Sequence, residues 1–330
     1  MIAVSYHDSM DVLQEAKLTP DGPFNRLEWF KNITQLDVNN DLFLCVASGG
    51  EAISALPLRK SHGRLDSFIN WYAFIWRPLA SDTEASLSLL QALAQNLRKR
   101  VSRIVLSPLP DEDNTATMLE QAFRTAGWFV QRQACDINHV LRINGRSYAA
   151  YLAERPGTLR TTLARKGKRV NVSICNEFQQ DMWDTYEDIY ANSWKPSEGN
   201  PAFLKQFAQT ESAAGRLRLG IAHHDNRPVA AQFWTVENGT AYIHKLAHRA
   251  DAQKLSPGTT LTAALMEHVI DNDRVELVDF GTGDDTYKSD WMEEVRLRFR
   301  LDCHNPTRVA SWPHIARAAL RRLASGTSAS

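Results

Sequence analysis

The side chains best suited to catalysis or ligand binding are concentrated in one short stretch, residues 278–291, at the end of a predicted apolar strand. The stretch contains two glycines and brings together Asp279, Asp284, Tyr287 and Lys288. Carboxyl, phenol and ammonium groups on such a loop can transfer a proton to or from a substrate. They can also orient a charged substrate. A polar turn with an Asx-type helix cap accounts equally well for the paired aspartates. It does not account for the tyrosine–lysine pair that follows them.

A second stretch, residues 254–261 (Lys-Leu-Ser-Pro-Gly-Thr-Thr-Leu), joins a predicted strand to a predicted helix. The N-terminus of a helix presents backbone N–H groups without helical partners and the positive end of the helix dipole, so it can bind a phosphate. Pro257 has no N–H, which leaves Gly258, Thr259 and Thr260 as the donors, and Gly258 has no Cβ to block a ligand. Ser-Pro-Gly is also typical of ordinary helix capping, which is the alternative for this motif.

Both stretches fall in the second copy of a faint internal repeat. In each copy an apolar hairpin is followed by a third strand, a helix with apolar periodicity and a short fourth strand. The hairpins begin near Leu42 and Leu217, and Ile53 in the first corresponds to Val229 in the second. This order is typical of a mixed sheet with helices on its faces, so the sequence predicts an α/β fold built twice.

The two copies differ where chemistry would take place. The predicted third strands begin at Phe68 and Ala241, and the predicted helices begin at Ala85 and Thr259. Before its helix the first copy reads Leu-Ala-Ser-Asp-Thr-Glu-Ala, without a glycine. After its fourth strand it reads Ser-Pro-Leu-Pro-Asp-Glu-Asp-Asn-Thr, without tyrosine or lysine. We therefore expect the chemistry, including any phosphate site, in the second copy.

Composition limits the class of protein. The 330 residues contain 38 Lys plus Arg and 38 Asp plus Glu, and this neutral balance argues against DNA or an anionic membrane surface as the main partner. The longest apolar run, residues 68–76, is well short of the ~20 residues that cross a bilayer. Because no signal peptide is visible either, we expect a cytoplasmic protein without a transmembrane segment. The four cysteines are scattered, with no CxxC pair and no histidine at ligand spacing, so no metal site is expected.

The two chemical stretches and the second hairpin resemble the CelD/BcsL-type branch of the GNAT N-acetyltransferase superfamily, which is related to the Fem aminoacyl transferases. The matching pieces are residues 217–222 with 227–231, the Ser-Pro-Gly at 256–258, and Asp-Phe-Gly-Thr-Gly-Asp-Asp-Thr-Tyr-Lys at 279–288. The resemblance covers most of residues 20–305 and is strongest from about 155 to 292. It departs from the family at Ser289, where a basic residue is usual.

This resemblance implies two tandem GNAT-like domains, each with a mixed, mostly antiparallel sheet flanked by helices. The expected limits are a degenerate N-terminal domain over residues 1–147, an acyltransferase domain over 148–310, and a terminal helix with a flexible tail over 311–330. The implied activity is direct transfer of an acyl group to an amine or hydroxyl. Acetyl-CoA or another acyl-CoA would be the co-substrate, and the acceptor would be a small or carrier-linked sugar, lipid or cell-envelope precursor.

The resemblance also implies roles for individual residues. The implied donor-binding residues are Leu246, Ala247, Ser256, Gly258, Thr259 and Thr260. Tyr287 would protonate the leaving thiolate, and Asp284 or His244 would take the proton of the acceptor. Lys288 would orient an anionic acceptor or a CoA phosphate, and Asp279 is assigned to the same substrate site.

Two other functions stay open on the sequence. One is Fem-like transfer of an aminoacyl group from tRNA, which usually requires a basic surface that this neutral chain does not show. The other is a non-catalytic scaffold or ligand sensor, which would have no physical need for Gly258, Tyr287 and Lys288. The basic run at residues 159–169, between the copies, is predicted to be a solvated connector face, with a phosphate-binding patch as the alternative.

Overall fold

A computed structural model of the chain describes residues 1–36, 41–81 and 86–326. Ala85, where the first-copy helix is predicted to begin, and residues 327–330 of the predicted tail lie outside these ranges. The strands are β1 Ala3–His7, β2 Leu42–Gly49, β3 Ala52–Ser61, β4 Arg64–Ser67, β5 Leu79–Ala80, β6 Arg103–Leu109, β7 Phe129–Arg142, β8 Asn171–Cys175, β9 Leu217–His224, β10 Arg227–Glu237, β11 Thr240–His248, β12 Leu277–Thr282 and β13 Glu294–His304. The α-helices are α1 Leu27–Leu36, α2 Ser86–Arg98, α3 Thr115–Thr125, α4 Tyr148–Ala153, α5 Gly157–Lys166, α6 Gln180–Ala191, α7 Pro201–Ala213, α8 Pro257–Glu267, α9 Thr286–Trp291 and α10 Trp312–Gly326.

The chain divides into two compact units. Unit 1 comprises Met1–Asp136 with Leu297–Ser330, and unit 2 comprises Ile137–Arg296. The divisions therefore fall inside β7 and β13, and not after residues 147 and 310, where the sequence places them. Strand pairing explains the difference. The last residues of β7 pair with β12 in unit 2, and the last residues of β13 pair with β6 in unit 1.

Unit 1 contains a mixed sheet in the order β1-β2-β3-β4-β6-β13. β4 and β6 run parallel, whereas the other neighbours in this order are antiparallel. The helix α2 packs on the β2–β3 hairpin. The unit thus contains a hairpin, a third strand, a helix and a parallel fourth strand, which is the order that the repeat predicts.

The predicted third strand of unit 1 is misplaced. The sequence puts it over residues 68–74, but the strand is β4 and ends at Ser67. The residues that follow are irregular, and the aromatic side chains of Phe68, Phe74 and Trp76 are buried. Asn70 accepts a hydrogen bond from the N–H of residue 72 at 3.1 Å. Such a local side-chain bond competes with strand pairing, so the apolar run packs into the core without forming a strand.

The strands of unit 2 follow the order β7-β12-β11-β10-β9-β8. β11 and β12 run parallel, and the other neighbours are antiparallel. The hairpin β9–β10, the third strand β11, the helix α8 and the fourth strand β12 repeat the order of unit 1. The prediction of a repeated α/β fold with mixed, mostly antiparallel sheets is therefore confirmed.

Helices cover both faces of the unit 2 sheet. On the side of Trp234, which we call the α8 face, α8 contributes Leu261 to the core. Gly220 of β9 permits this close packing, because a Cβ there would lie 2.9 Å from Cδ1 of Leu261. Successive strand residues point to opposite faces, so Phe233 faces the other side, where its ring centroid lies 5.7 Å from that of Trp183 in α6. We call this second side the α6 face.

Candidate functional site

The two central strands of unit 2 separate partway along their length. The parallel pairing of β11 with β12 ends at the pair Tyr242↔Asp279, although β11 continues to His248 and β12 to Thr282. On its other edge β11 stays paired with β10 up to His248. The β12 side of residues 243–248 therefore borders a gap in the sheet. A ligand with amide groups that lies in this gap can hydrogen-bond to the strand as an added strand would.

A β-bulge lies where the gap begins. Phe233 of β10 pairs with Lys245 and Trp234 pairs with Ile243, so His244 is the extra residue of β11. Because paired residues share a face of the sheet, Lys245 points to the α6 face with Phe233. The ring of His244 also packs on Phe233, with 5.1 Å between centroids. The bulge thus turns two consecutive polar side chains to the same face.

The His244 imidazole is held firmly by its neighbours. Its Nε2 lies 2.8 Å from Oγ1 of Thr235. Its ring meets Phe207 of α7 nearly edge-on, with 5.0 Å between centroids. This packing favours a structural role for His244 over the role of a base.

The first turn of α8 follows shortly after the end of β11. Ser256 has a left-handed backbone (φ 51°) and α8 begins at Pro257, so Gly258 lies within the first helical turn. The N–H of Thr260 donates to the C=O of Ser256 at 3.2 Å. This bond removes the Thr260 N–H from the predicted set of phosphate donors, because it is used inside the helix. The N–H groups of Gly258 and Thr259 belong to the first turn, where a helix supplies no acceptor of its own.

Two contacts define the surroundings of this turn. A Cβ added at Gly258 would lie 3.5 Å from Cδ2 of His248, so the turn packs against the last residue of β11. Lys166, the last residue of α5, donates from Nζ to Oγ of Ser256 at 2.9 Å. The basic run at residues 159–169 therefore supplies a positive charge beside the first turn of α8.

One buried side chain connects the edge of β11 to α8. Leu246 pairs with Gln232 of β10, and Ala247 pairs with the residue before it, Ala231. Nε2 of Gln232 donates to the C=O of Gly258 at 3.2 Å. The predicted donor-binding residues of β11 and of α8 are thus neighbours.

A buried carboxylate shapes the loop that follows β12. Asp279 accepts hydrogen bonds from Nδ2 of Asn138 at 3.1 and 3.2 Å and from the N–H of Gly281 at 2.7 Å. Gly281 and Gly283 have φ values of 70° and 95°, which few residues other than glycine adopt easily. Both glycines of the motif are therefore required by the turn. The bonds of Asp279 favour a role in shaping the loop over contact with a substrate.

Lys288 holds the same loop from α9. The residue is only 4% exposed. Its Nζ donates to the C=O of Gly283 at 3.2 Å and to the C=O of Thr282, and lies 3.9 Å from the carboxylate of Asp285. This geometry favours support of the loop over direct contact with an anionic acceptor or a CoA phosphate.

Tyr287 lies in the first turn of α9. Its ring contacts Phe280 of β12, with 6.1 Å between centroids, and 42% of the residue is exposed. Partial burial of the hydroxyl, together with the charge of Asp285, raises the pKa of Tyr287 to about 12. The hydroxyl therefore stays protonated at neutral pH. It can donate a proton as a general acid, but it cannot serve as a base.

Asp284 points into solvent, with 85% of its side chain exposed. Its carboxylate lies 3.4 Å from Nε2 of His139, a buried histidine on β7 that belongs to neither sequence motif. His139 reaches this loop because β7 pairs with β12. No local pattern in the sequence could have revealed this pair, because it depends on the pairing of distant strands.

Other features of unit 2 lie away from the gap. An opening of about 750 Å³ is formed by residues 142–147 and 270–276, near the start of β12 and not near its end. Within the described ranges, no group of three or more His, Cys, Asp or Glu side chains could hold a metal ion. Among the same residues, none of the helices combines the length and the apolar character needed to cross a membrane.

A family model covers the part of the chain that contains the gap. Residues 146–289 match the model of the acetyltransferase (GNAT) domain, and this stretch lies within unit 2. It includes β11, the first turn of α8 and the loop after β12. A comparison with curated proteins gave no match.

Solved structures share the fold over nearly the whole chain. FemX matches with a TM-score of 0.64 and 9% identity, over 91% of this chain and 96% of its own. The C-terminal domain (DUF2156) of a protein designated lysylphosphatidylglycerol synthetase from Agrobacterium fabrum matches with a TM-score of 0.59 and 13% identity, over 90% and 92%. L-PGS from Bacillus licheniformis matches with a TM-score of 0.55 and 11% identity, over 92% and 98%. At these identities the likeness concerns the fold alone.

The fold and the family match define the class of protein. The chain consists of two units that repeat one order of elements, and the match to the GNAT acetyltransferase domain lies in unit 2. These findings support an acyltransferase in general, without fixing the donor or the acceptor.

Proposed function

We propose that unit 2 transfers an acyl group from acyl-CoA to an amine or hydroxyl of a small or carrier-linked acceptor, as a member of the CelD/BcsL-type branch. The observation that carries the proposal is the separation of β11 from β12 beyond Tyr242, shortly before the first turn of α8. An unpaired strand edge suits the amide groups of pantetheine. A helix N-terminus suits the pyrophosphate that follows pantetheine in CoA.

Each part of the donor then has a matching surface. The pantetheine lies along residues 243–248, and the pyrophosphate accepts hydrogen bonds from the N–H groups of Gly258 and Thr259. Lys166, already in contact with Ser256, adds a positive charge at the same place. A cation beside free N–H groups strengthens the binding of a phosphate.

The transfer needs no covalent intermediate. The acceptor nitrogen or oxygen attacks the thioester carbonyl, the C–S bond breaks, and the sulfur takes a proton from the hydroxyl of Tyr287. Asp284 takes the proton of the acceptor. It is preferred over His244 because Asp284 is exposed beside His139, whereas His244 is bonded to Thr235. Alignment of the two reactants supplies much of the remaining acceleration.

The test is the binding of acetyl-CoA to the full chain, measured by calorimetry for the wild type and for Gly258→Glu. We expect one site per chain and no measurable binding in the variant, because glutamate adds bulk and negative charge beside the pyrophosphate. A Cβ at Gly258 would make only an ordinary contact with His248, and the melting temperature of the variant shows whether the larger side chain disturbs folding. Gly157→Glu is the matched control, since it adds the same side chain to the first turn of α5, where a Cβ meets nothing within 4 Å.

The outcomes separate the possible functions. Native affinity in Gly258→Glu would place the phosphate site elsewhere. If charged tRNA binds while acetyl-CoA and longer acyl-CoAs do not, Fem-like aminoacyl transfer replaces this proposal. If none of them binds, the chain is a scaffold or a sensor of another ligand.

A further inference from the structure

A cavity of about 440 Å³ lies on the α6 face of unit 2, between α6 and α7. Trp183, Tyr186 and Tyr190 line it from α6, at the spacing of one helix face, and Pro201 and Leu204 line it from α7. All three aromatic residues are less than 9% exposed. A wall of this composition suits an aromatic ring or a branched alkyl group.

Of the described side chains that line the cavity, three are charged, and two of these have partners. Glu198 forms an ion pair with Lys245 of β11 at 2.9 Å. Glu187 accepts a hydrogen bond from Nε1 of Trp183 at 3.0 Å. The third is Lys195, whose ammonium lies over the ring of Trp194, 5.8 Å from its centroid. In the part of the chain that the structure describes, this ammonium makes no hydrogen bond or ion pair.

The surroundings of Lys195 disfavour its positive charge. Burial, followed by repulsion from Lys245, lowers the pKa of Lys195 to about 8, against the attraction of Asp285 and Glu198. An anion that entered the cavity would stabilise this ammonium at little cost, because the lysine is already largely desolvated. The unpaired charge therefore favours an anionic ligand over a neutral one.

The cavity lies beside the gap between β11 and β12. Lys245, the partner of Glu198, is the third residue of β11 beyond the last one paired with β12. Lys288 of α9 and Asp285, the residue that precedes this helix, are close enough to Lys195 to influence its charge. The cavity thus adjoins the gap on the α6 face, whereas α8, the proposed site of the donor phosphates, covers the opposite face. A ligand in the cavity would meet the donor thioester at the gap.

We propose that this cavity binds the acceptor, with an apolar ring or branched group against the three aromatic side chains and an adjacent carboxylate or phosphate on Lys195. The identification of the ligand as the acceptor rests on the proposed transferase function. The existence of the site does not.

The test measures the binding of small probes to the full chain at pH 7 by ligand-observed NMR. The probes are 3-phenylpropionate, 2-phenylethyl phosphate, 3-phenylpropan-1-ol, 3-phenylpropan-1-amine and propionate. We expect the two aromatic anions to bind at least about 10-fold more tightly than the alcohol, because a charge-assisted hydrogen bond is worth that factor or more. Propionate should bind weakly because it lacks the ring. The order of the two anions shows which of them the site prefers.

Variants locate the binding. Lys195→Met removes the charge and keeps the length of the side chain, so the anions should lose roughly 10-fold or more in affinity while the alcohol changes little. Lys205→Met is the matched control, since Lys205 lies on α7 and does not line the cavity. Ala191→Trp adds bulk at an exposed residue of the lining, and should weaken every aromatic probe even if Lys195→Met folds poorly.

Three results would overturn the proposal: equal binding of the alcohol and the carboxylate, tighter binding of the amine, or native carboxylate affinity in Lys195→Met. Parallel titration with acetyl-CoA keeps the two proposals apart. Probe binding without acetyl-CoA binding would leave the anion site standing and refute the transferase. Acetyl-CoA binding without probe binding would support the transferase and refute the anion site.

Discussion

Units 1 and 2 share an order of elements, but they differ where the third strand meets the fourth. In unit 2, β11 continues to His248, well beyond its last pair, Tyr242↔Asp279. In unit 1, β4 ends at Ser67, one residue after its last pair, Asp66↔Val105. Within its described residues, unit 1 therefore has no strand extension that could border a gap.

Hydrogen bonds close the corresponding place in unit 1. Oγ of Ser67 accepts from the N–H of Ser107 at 2.9 Å, and the N–H of Trp76 donates to the C=O of Pro108 at 2.7 Å. The buried indole of Trp76 also donates from Nε1 to the C=O of Pro57 at 3.2 Å. The chain itself thus occupies the space beside β6 that corresponds to the gap beside β12. A repeated fold can keep its core and lose its site when one strand edge is satisfied internally.

The largest effect that tests this difference is expected for Tyr287→Phe. Phenylalanine keeps the contact with Phe280 and removes only the hydroxyl. If Tyr287 protonates the leaving thiolate, kcat should fall by about 10²–10⁴-fold, the usual contribution of general acid catalysis, while acyl-CoA affinity changes little. The measurements are thiol release under turnover and calorimetric binding of acyl-CoA.

Two results would assign Tyr287 another role. Full activity with a lowered melting temperature would show that the hydroxyl only satisfies a backbone group, at a cost of roughly 1 kcal/mol. Weaker acyl-CoA binding with an unchanged kcat would place the hydroxyl in the donor site.

A substitution in the core of unit 1 should lower stability without changing acetyl-CoA affinity. Trp76→Ala removes a buried indole and should lower the free energy of unfolding by about 3–5 kcal/mol, as measured in urea. The affinity of the folded variant for acetyl-CoA should stay at the wild-type value, because the proposed donor site lies in unit 2. Trp76→Phe provides a milder variant for the same measurement. A changed acetyl-CoA affinity in Trp76→Phe would show that unit 1 takes part in binding.

The sequence predicts the features that depend on local periodicity. The repeat and the helix α8 follow from apolar spacing and from capping chemistry, which act over a few residues. Prediction fails at residues 68–74, because an apolar aromatic run can be buried equally well in an irregular segment. The length of β11 beyond its partner also has no local signal.

The parts of the candidate site that the sequence does not reveal are produced by strand pairing and helix packing. His139 reaches Asp284 only because β7 pairs with β12. Lys195 follows α6 in an ordinary polar connection, and the nearby carboxylate of Glu198 is paired with Lys245 of β11 instead. The motif assigns Lys288 and Asp279 to the substrate site, whereas the structure gives both side chains hydrogen bonds to backbone groups of the loop.

The smallest predicted effect concerns pH and tests the cavity of unit 2. A carboxylate binds the protonated form of Lys195, so affinity follows the fraction of this lysine that carries a proton. With a pKa of about 8, raising the pH from 7 to 9 should weaken 3-phenylpropionate about tenfold. A lysine with an ordinary pKa near 10.4 would give almost no change. The charge on Lys195 is also influenced by Lys245, Glu198, Asp285 and Lys288. Of these, Lys245 itself has a pKa that is lowered by burial. Lys195→Arg separates these contributions, because arginine stays charged and should bind the carboxylate equally at both pH values. A tenfold loss that persists in Lys195→Arg would show that another group carries the titration and would remove Lys195 from the site.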